Sequence, residues 1–323
     1  MQGKDQSDQE TRHCTVGIDV SQSWLDVCVH PSEARLQVAN DRSGISQLKR
    51  WLQKLEALEF VAVEATGRWH KALCRSLDAS AIAIRIVDPY RVRMFAKASG
   101  ILAKTDRLDA KVLALFGAVM QPAARELAPE VLETLKELAT ARDSVMTERT
   151  AVQNQRHAAT DAFLKRQLTR RITQLGSHAA ALEKEALKRI HADPGLARRY
   201  AILTSIPGIG PVNAISLITR MPELGLLTSK QAAALAGVAP VADESGQRLG
   251  TRVIWGGRGA VRNMLYMAGR SASQHNPDQR LFYERLIANG KATKSACIAV
   301  ARKLVVLANL LIEEDRFWLP VAP

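Results

Sequence analysis

Cysteine is scarce in this 323-residue chain: Cys14, Cys28, Cys74 and Cys297 are widely and irregularly spaced and form no C-x-x-C pair. That excludes a zinc ribbon and a disulfide framework and fits reduced, buried thiols. The seven histidines are equally scattered. No run of 18 or more apolar residues occurs, and the N-terminal "MQGKDQSDQETR" is polar, without the apolar centre of an export signal. A cytosolic protein with no membrane partner is the expectation, with residues 1–13 as a mobile tail. Internal repeats and low-complexity tracts are missing as well.

Acidic charge is in deficit. Asp and Glu number 32 against 45 Lys and Arg, a net charge of +13, with an isoelectric point near 9.9. Such a balance favours a polyanionic partner through phosphate neutralisation and counterion release, nucleic acid first among them. A generally basic soluble protein is the plainer alternative. With 47% hydrophobic and 24% charged residues, the chain has the composition of a folded globular protein. Its length favours more than one domain.

The order of elements sets the fold expectation. "CTVGIDVSQSWLDVCV" reads as two strands joined by a polar turn at Ser21 to Ser23, and "RLQVAN" as a third. "SGISQLKRWLQKLEAL" has helical periodicity with Ser43 as its start signal, and "EFVAVEATG" is a short buried strand ending near Glu64. A helix in "RWHKALCRSLDAS", a strand in "AIAIRIVDP" and helices in "YRVRMFAKA" and "KTDRLDAKVLALFGAVM" follow. Three strands in succession and then alternation predict an α/β domain over residues 14–120, a mixed sheet covered by helices in ribonuclease H-like order. "QPAARELAPE" breaks the periodicity and marks a boundary. Long charged helical patterns over 121–199 predict a coiled-coil-like pair or two ordinary packed helices. Residues 200–323 read as a mainly α domain interrupted by "GVAPVADESGQRLGTRVIWGGRG".

Four acids carry the candidate chemistry. Asp19 sits in the apolar strand "VGIDVS", where a carboxylate is costly unless something compensates it. Glu64 closes "FVAVE" at a strand's C-terminal end, where open α/β sheets present functional groups. Asp106 and Asp109 in "KTDRLDAKVLALF" share one helical turn. Together they would suit one or two Mg²⁺ ions, which prefer carboxylate oxygens with water and phosphate completing the shell. The plainer reading of a D-x-x-D pair is a solvated helix face. Asp26 is expected on the other face of its strand and Asp88, before Pro89, in a turn.

In the last third, "LTSIPGIGPVNAISLI" places Gly208 and Gly210 in a turn between two helical stretches, like a helix-hairpin-helix whose backbone N–H groups meet phosphate. A simple helix connector is the alternative. Ser245, followed by Arg248, Arg252, Arg258 and Arg262, offers a hydroxyl nucleophile among guanidinium groups able to bind a phosphodiester. A surface hairpin with backbone-contacting arginines is its alternative.

In this order and at these separations, "GIDVSQSWLDV", "VEATGRWH", "KTDRLDAKVLA", "SIPGIGPVNA" and "DESG" followed by "WGGRGAVRNMLYMA" resemble the IS-one-ten family of insertion-sequence transposases. The resemblance runs from Val16 to about Leu310 and implies a DEDD recombinase with a RuvC-like N-terminal domain. Asp19, Glu64, Asp106 and Asp109 then correspond to ligands of Mg²⁺, and Ser245 to a serine that attacks DNA and forms a phosphoserine linkage. The same resemblance implies double-stranded donor and target DNA and an element-encoded bridge RNA that selects the sites. It further implies a homo-oligomer, a dimer or tetramer, working at the nucleoid of a bacterial or archaeal cytoplasm. The chain departs from the family around "IWGGRG", where relatives more often carry a Lys-Gly turn. A junction-resolving nuclease using the same acids with water, and a non-enzymatic nucleic-acid-binding protein, are the competing readings.

Overall fold

The structure is a computed structural model that describes residues 13–65, 67–101, 106–124, 127, 129–241, 244–245, 248–249 and 253–319. The chain divides into two compact units, Met1–Leu127 and Ala128–Pro323. The first is α/β and the second almost wholly helical.

The first unit runs β1 (Cys14–Val20), β2 (Trp24–His30), β3 (Arg35–Ala39), α1 (Arg42–Leu52), β4 (Leu58–Glu64), α2 (His70–Asp78), β5 (Ile84–Val87), α3 (Pro89–Ala98) and α4 (Asp106–Met120). The five strands form one sheet in the order β3-β2-β1-β4-β5. β1, β2 and β3 pair antiparallel, while β4 lies parallel to both β1 and β5. Alternation along the strands divides the side chains between two faces. Val16, Ile18, Val20, Leu25, Val27, Val38, Val61 and Val63 belong to one core with α1 and α2 residues such as Leu48 and Leu73. The other face receives α4.

Two details differ from the sequence expectation. α1 is capped by Asp41, whose carboxylate accepts from the Gly44 N–H at 2.8 Å, and not by Ser43. It also stops at Leu52, because Leu58 is taken up by β4 pairing with Cys14. Asp88 caps α3 by accepting from the N–H groups of Tyr90 and Arg91.

α4 lies on β1 at backbone contact. A Cβ built on Gly17 would sit 2.2 Å from the Ala110 carbonyl oxygen and 2.3 Å from the Ala114 nitrogen. Only a residue without a side chain permits this approach, and backbone atoms of a helix cannot step aside. Gly17→Ala is therefore expected to destabilise the protein by about 3 kcal/mol, the upper range for overpacking, read as a lower urea midpoint with an unchanged slope.

In the second unit, α5 (Glu130–Ala158) and α6 (Ala162–Ala192) form a long hairpin joined through residues 159–161. Val145, Val152, Leu175 and Ala179 make a small core along it. Its other end, through Leu135, Ala139, Ala186 and Ile190, enters the main core of the C-terminal helices. Packing therefore places this hairpin in one unit with those helices. They are α7 (Pro194–Ser205), α8 (Pro211–Arg220), α9 (Ser229–Leu235), α10 (Gly259–His275), α11 (Pro277–Ala288) and α12 (Thr293–Glu313). α12 is long and apolar enough to cross a membrane. In this fold it is a core helix, with Val300, Ala301, Leu304, Val305, Ala308 and Leu311 fully buried. Four short strands, β6 (Pro240–Val241), β7 (Glu244–Ser245), β8 (Arg248–Leu249) and β9 (Val253–Ile254), form two ribbons between α9 and α10. All four cysteines are buried and free. Burial pushes the thiols of Cys14, Cys28 and Cys297 up, which keeps them protonated and unreactive.

Candidate active site

The register of the sheet and the direction of α4 locate the acids. β1 and β4 run in parallel with Gly17 beside Ala62 and Ile18 beside Val63. One step further, at the C-terminal ends of both strands, Asp19 stands beside Glu64. Strand neighbours lie ~4.8 Å apart and register partners point to the same face. That face is the one α4 covers. A Cβ on Gly117 would meet Thr15 at 2.7 Å and Ala62 at 3.4 Å, while Gly17 meets Ala110 and Ala114.

α4 thus runs antiparallel to β1, from Ala110–Ala114 over Gly17 to Gly117 over Thr15. Two strand residues cover ~6.6 Å and four helical residues ~6 Å. Continuing the same line from Gly17 to Asp19 therefore leads to the first turn of α4, which carries Asp106 and Asp109. Asp19, Glu64 and Asp109 are all partly exposed. For Asp106 only the backbone is described. The first N–H groups of a helix give its N-terminus partial positive charge, which favours carboxylates there.

The donors are hard carboxylate oxygens at one edge of a sheet, the chemistry that suits Mg²⁺. Among the described residues, no three His, Cys, Asp or Glu side chains close around one point. The fit is therefore one of donor type alone, and the side chain of Asp106 falls outside the described set.

The sequence expectation for Asp26 is corrected. β1 and β2 pair with Asp19 directly opposite Asp26, so the two share a face. Asp26 is 7% exposed. Its Oδ1 accepts from Gln37 Nε2 at 2.9 Å, and Gln37 is its register partner on β3. Pairing across the hairpin, not alternation along the chain, decides which face Asp26 takes.

In the second unit, Ser245 lies in β7 as the register partner of Arg248 in β8, so the two positions face the same side of the ribbon. Side chains of both fall outside the described set, and Arg252 lies outside the described residues. The base of this segment is held firmly. Gly237 and Gly257, at φ +71° and +64°, approach until a Cβ on Gly257 would be 2.4 Å from the Gly237 nitrogen. Arg258 grips both carboxylate oxygens of Glu223 at 2.8 and 2.7 Å and also donates to the Arg220 carbonyl. Arg262 donates to the carbonyls of Gly256 at 3.2 Å and Gly237 at 3.5 Å. Both guanidinium groups thus face protein acceptors and brace the serine segment. Trp255 stands 69% exposed beside it.

The α7–α8 connection has Gly208 at φ +104°, pressed against Ala272, and Gly210 as the cap residue of α8 with open space where a Cβ would stand. No side chain caps α8, and Pro211 occupies its first turn. Asn276 braces the turn by donating to the Pro207 carbonyl at 3.3 Å.

Known proteins are similar to this chain along most of its length. Residues 16–164 match a family model described as a transposase, the DEDD type of IS110. Residues 200–284 match the family described as "Transposase IS116/IS110/IS902 family". The chain is similar to the pilin gene-inverting protein of Moraxella bovis, 26% identical over 93% of this chain and 96% of that protein. Its counterpart in Moraxella lacunata matches to the same extent. An insertion element IS110 protein of Streptomyces coelicolor is 25% identical over 46% of this chain and 36% of its own length.

Proposed function

Because the chain belongs to the IS110 family of transposases and is a DNA recombinase, we propose that it cuts and rejoins DNA through a phosphoserine on Ser245, with Asp19, Glu64, Asp106 and Asp109 as a divalent-metal site. The observation that carries this is the placement of Asp19 beside Glu64 at the strand ends that the first turn of α4 approaches. Mg²⁺ bound there would stabilise the charge developing on the reacting phosphate oxygens. The acids' part is to hold and orient that charge.

The serine step balances without an outside reagent. The Ser245 hydroxyl oxygen forms a bond to phosphorus, one ester oxygen of the DNA leaves as a hydroxyl, and the serine proton passes to that oxygen through solvent. A DNA hydroxyl from another strand then attacks the phosphoserine and releases Ser245. The phosphodiester bond energy is kept throughout. The Moraxella relatives, named for inverting a gene, favour such a reaction over hydrolysis, because inversion requires every cut end to be resealed. Arg248, the register partner of Ser245, is of a residue type that suits bidentate contact with the phosphate.

We extend the proposal to the partners. The start of α8, which no side chain caps, suits DNA phosphate together with Gly208 and Gly210. An element-encoded RNA that pairs with donor and target DNA is carried by the family resemblance, and so is a dimer or tetramer. The test is to purify the protein with the DNA flanking its gene and sequence the RNA that co-purifies. The expected RNA has two loops, one complementary to the joined ends of the element and one to its insertion site. Recovery of random cellular RNA would remove the guide from the account.

A further inference from the structure

Charge is unevenly divided along the α5–α6 hairpin. Its outer part, residues 149–182, holds six Lys or Arg and a single acid, Asp161. The remainder, residues 130–148 and 183–192, holds five basic and seven acidic residues. Asp161 is engaged as the cap of α6, accepting from the Leu164 N–H at 2.7 Å. Glu148, where the two parts meet, pairs with Arg171 at 2.6 Å. Among the described residues, the exposed Arg156, Lys165, Arg166 and Arg170 pair with no carboxylate.

The seam between the helices is unusual in the same stretch. Val145 and Val152 of α5 pack there against Leu175 and Ala179 of α6. Arg149 and Arg156 continue the spacing of those valines, at positions where paired helices favour apolar side chains. Arg156 donates from Nε to the Thr169 hydroxyl at 2.8 Å. Arg149 lies over Gly176, whose added Cβ would stand 3.7 Å from the arginine Nε. That Nε is buried and has no hydrogen-bond partner among the described residues. Thr169 and Gly176, two turns apart on α6, share one face. Lys165 and Arg166, four and three positions before Thr169, belong to it as well. A long basic side chain at a seam lays its stem along the apolar surface and carries its charged end to the rim. Apolar residues at 149 and 156 would pack the hairpin better, so the arginines serve something other than packing.

We propose that this face of the hairpin, with Arg149, Arg156, Lys165 and Arg166, is a binding surface for the phosphate backbone of duplex DNA. The inference uses only the chain's being a DNA recombinase and is independent of the roles given to the acids and to Ser245. The charge complements a polyanion, and no carboxylate lies on that face to repel it. One helix is ~10 Å across and fills a major groove ~12 Å wide. Two helices packed side by side are too broad to enter it, so the hairpin lies across the backbone. Contacts of that kind position the duplex and carry no sequence information. From Lys165 to Gly176 the face extends ~16 Å along α6, within half a turn of B-DNA.

The test measures the affinity of the full-length protein for two labelled DNA duplexes of unrelated sequence by fluorescence anisotropy, over a series of KCl concentrations and without divalent metal. Lys165→Gln combined with Arg166→Gln changes two exposed side chains and is expected to leave the melting temperature unchanged. It should weaken binding to both duplexes equally and make the slope of log K against log salt shallower by about 2, one for each lost phosphate contact. Arg149→Leu restores an apolar seam. It is expected to keep or raise the melting temperature while weakening DNA binding and reducing the slope by about 1. An unchanged affinity and slope in the double variant would overturn the proposal, as would a loss confined to one sequence. A loss seen only with an RNA duplex of the same sequence would overturn it too, by giving the face to RNA. Unchanged binding in Arg149→Leu would remove the seam arginines from the surface. None of these outcomes touches the serine adduct, which tests the reaction separately.

Discussion

Ser245→Ala abolishes the SDS-resistant adduct between the protein and labelled DNA carrying the element's ends, and strand joining falls by on the order of 10⁶-fold, the scale on which hydroxyl-nucleophile enzymes respond to loss of the nucleophile. The expectation follows from the support of the segment as much as from the serine. β6 and β9 form its base, Gly237 and Gly257 lock backbone to backbone beneath it, and Arg258 ties it to Glu223. Such bracing suits a hydroxyl that must meet a phosphorus atom within a narrow range of angles. Ser245→Cys restores a weak adduct, since the thiol occupies nearly the same place. An adduct that persists in the alanine variant would take Ser245 out of the reaction. Cut DNA with no adduct in the unsubstituted protein would point to hydrolysis by water at the same acids.

The second large effect belongs to the acids. Under the proposed metal-site reading, Asp109→Asn and Asp19→Asn are each expected to reduce Mg²⁺-dependent DNA cutting by about 10³-fold, since these carboxylates would hold the ion whose charge stabilises the transition state by several kcal/mol. DNA affinity and its dependence on salt are expected to stay nearly the same, because binding is expected to draw on the chain's excess of Lys and Arg, a net charge of +13, and on counterion release. The contrast between these two readouts separates a metal ligand from a residue needed for folding. A parallel loss of affinity, or full activity with chelator present, would contradict the assignment.

The elements were legible because their signals are local. Apolar alternation marks β1 and β2, the "FVAVE" run marks β4, and the three-residue spacing of Asp106 and Asp109 places both on one turn. Asp26 escaped because register is not local. It lies seven positions after Asp19, an odd offset, so counting alternation along the chain assigns it to the opposite face. The chain reverses between them, and turn length sets which residues pair; here the register puts Asp19 opposite Asp26. Arg258 escaped for a similar reason. Its sequence neighbours suggest a phosphate contact, but its acceptor, Glu223, lies 35 residues away. The close seating of α4 on Gly17 is also invisible in the sequence, where that glycine is merely a small residue in a strand.

The measurement that bears most directly on the shared acidic site is anomalous diffraction from crystals of the full chain soaked in Mn²⁺. The account predicts one or two anomalous peaks at direct ligand distance from the carboxylates of Asp19 and Asp109, at the C-terminal edge of β1 and β4. Peaks only elsewhere, with the side chains at 19, 64, 106 and 109 directed apart, would contradict it.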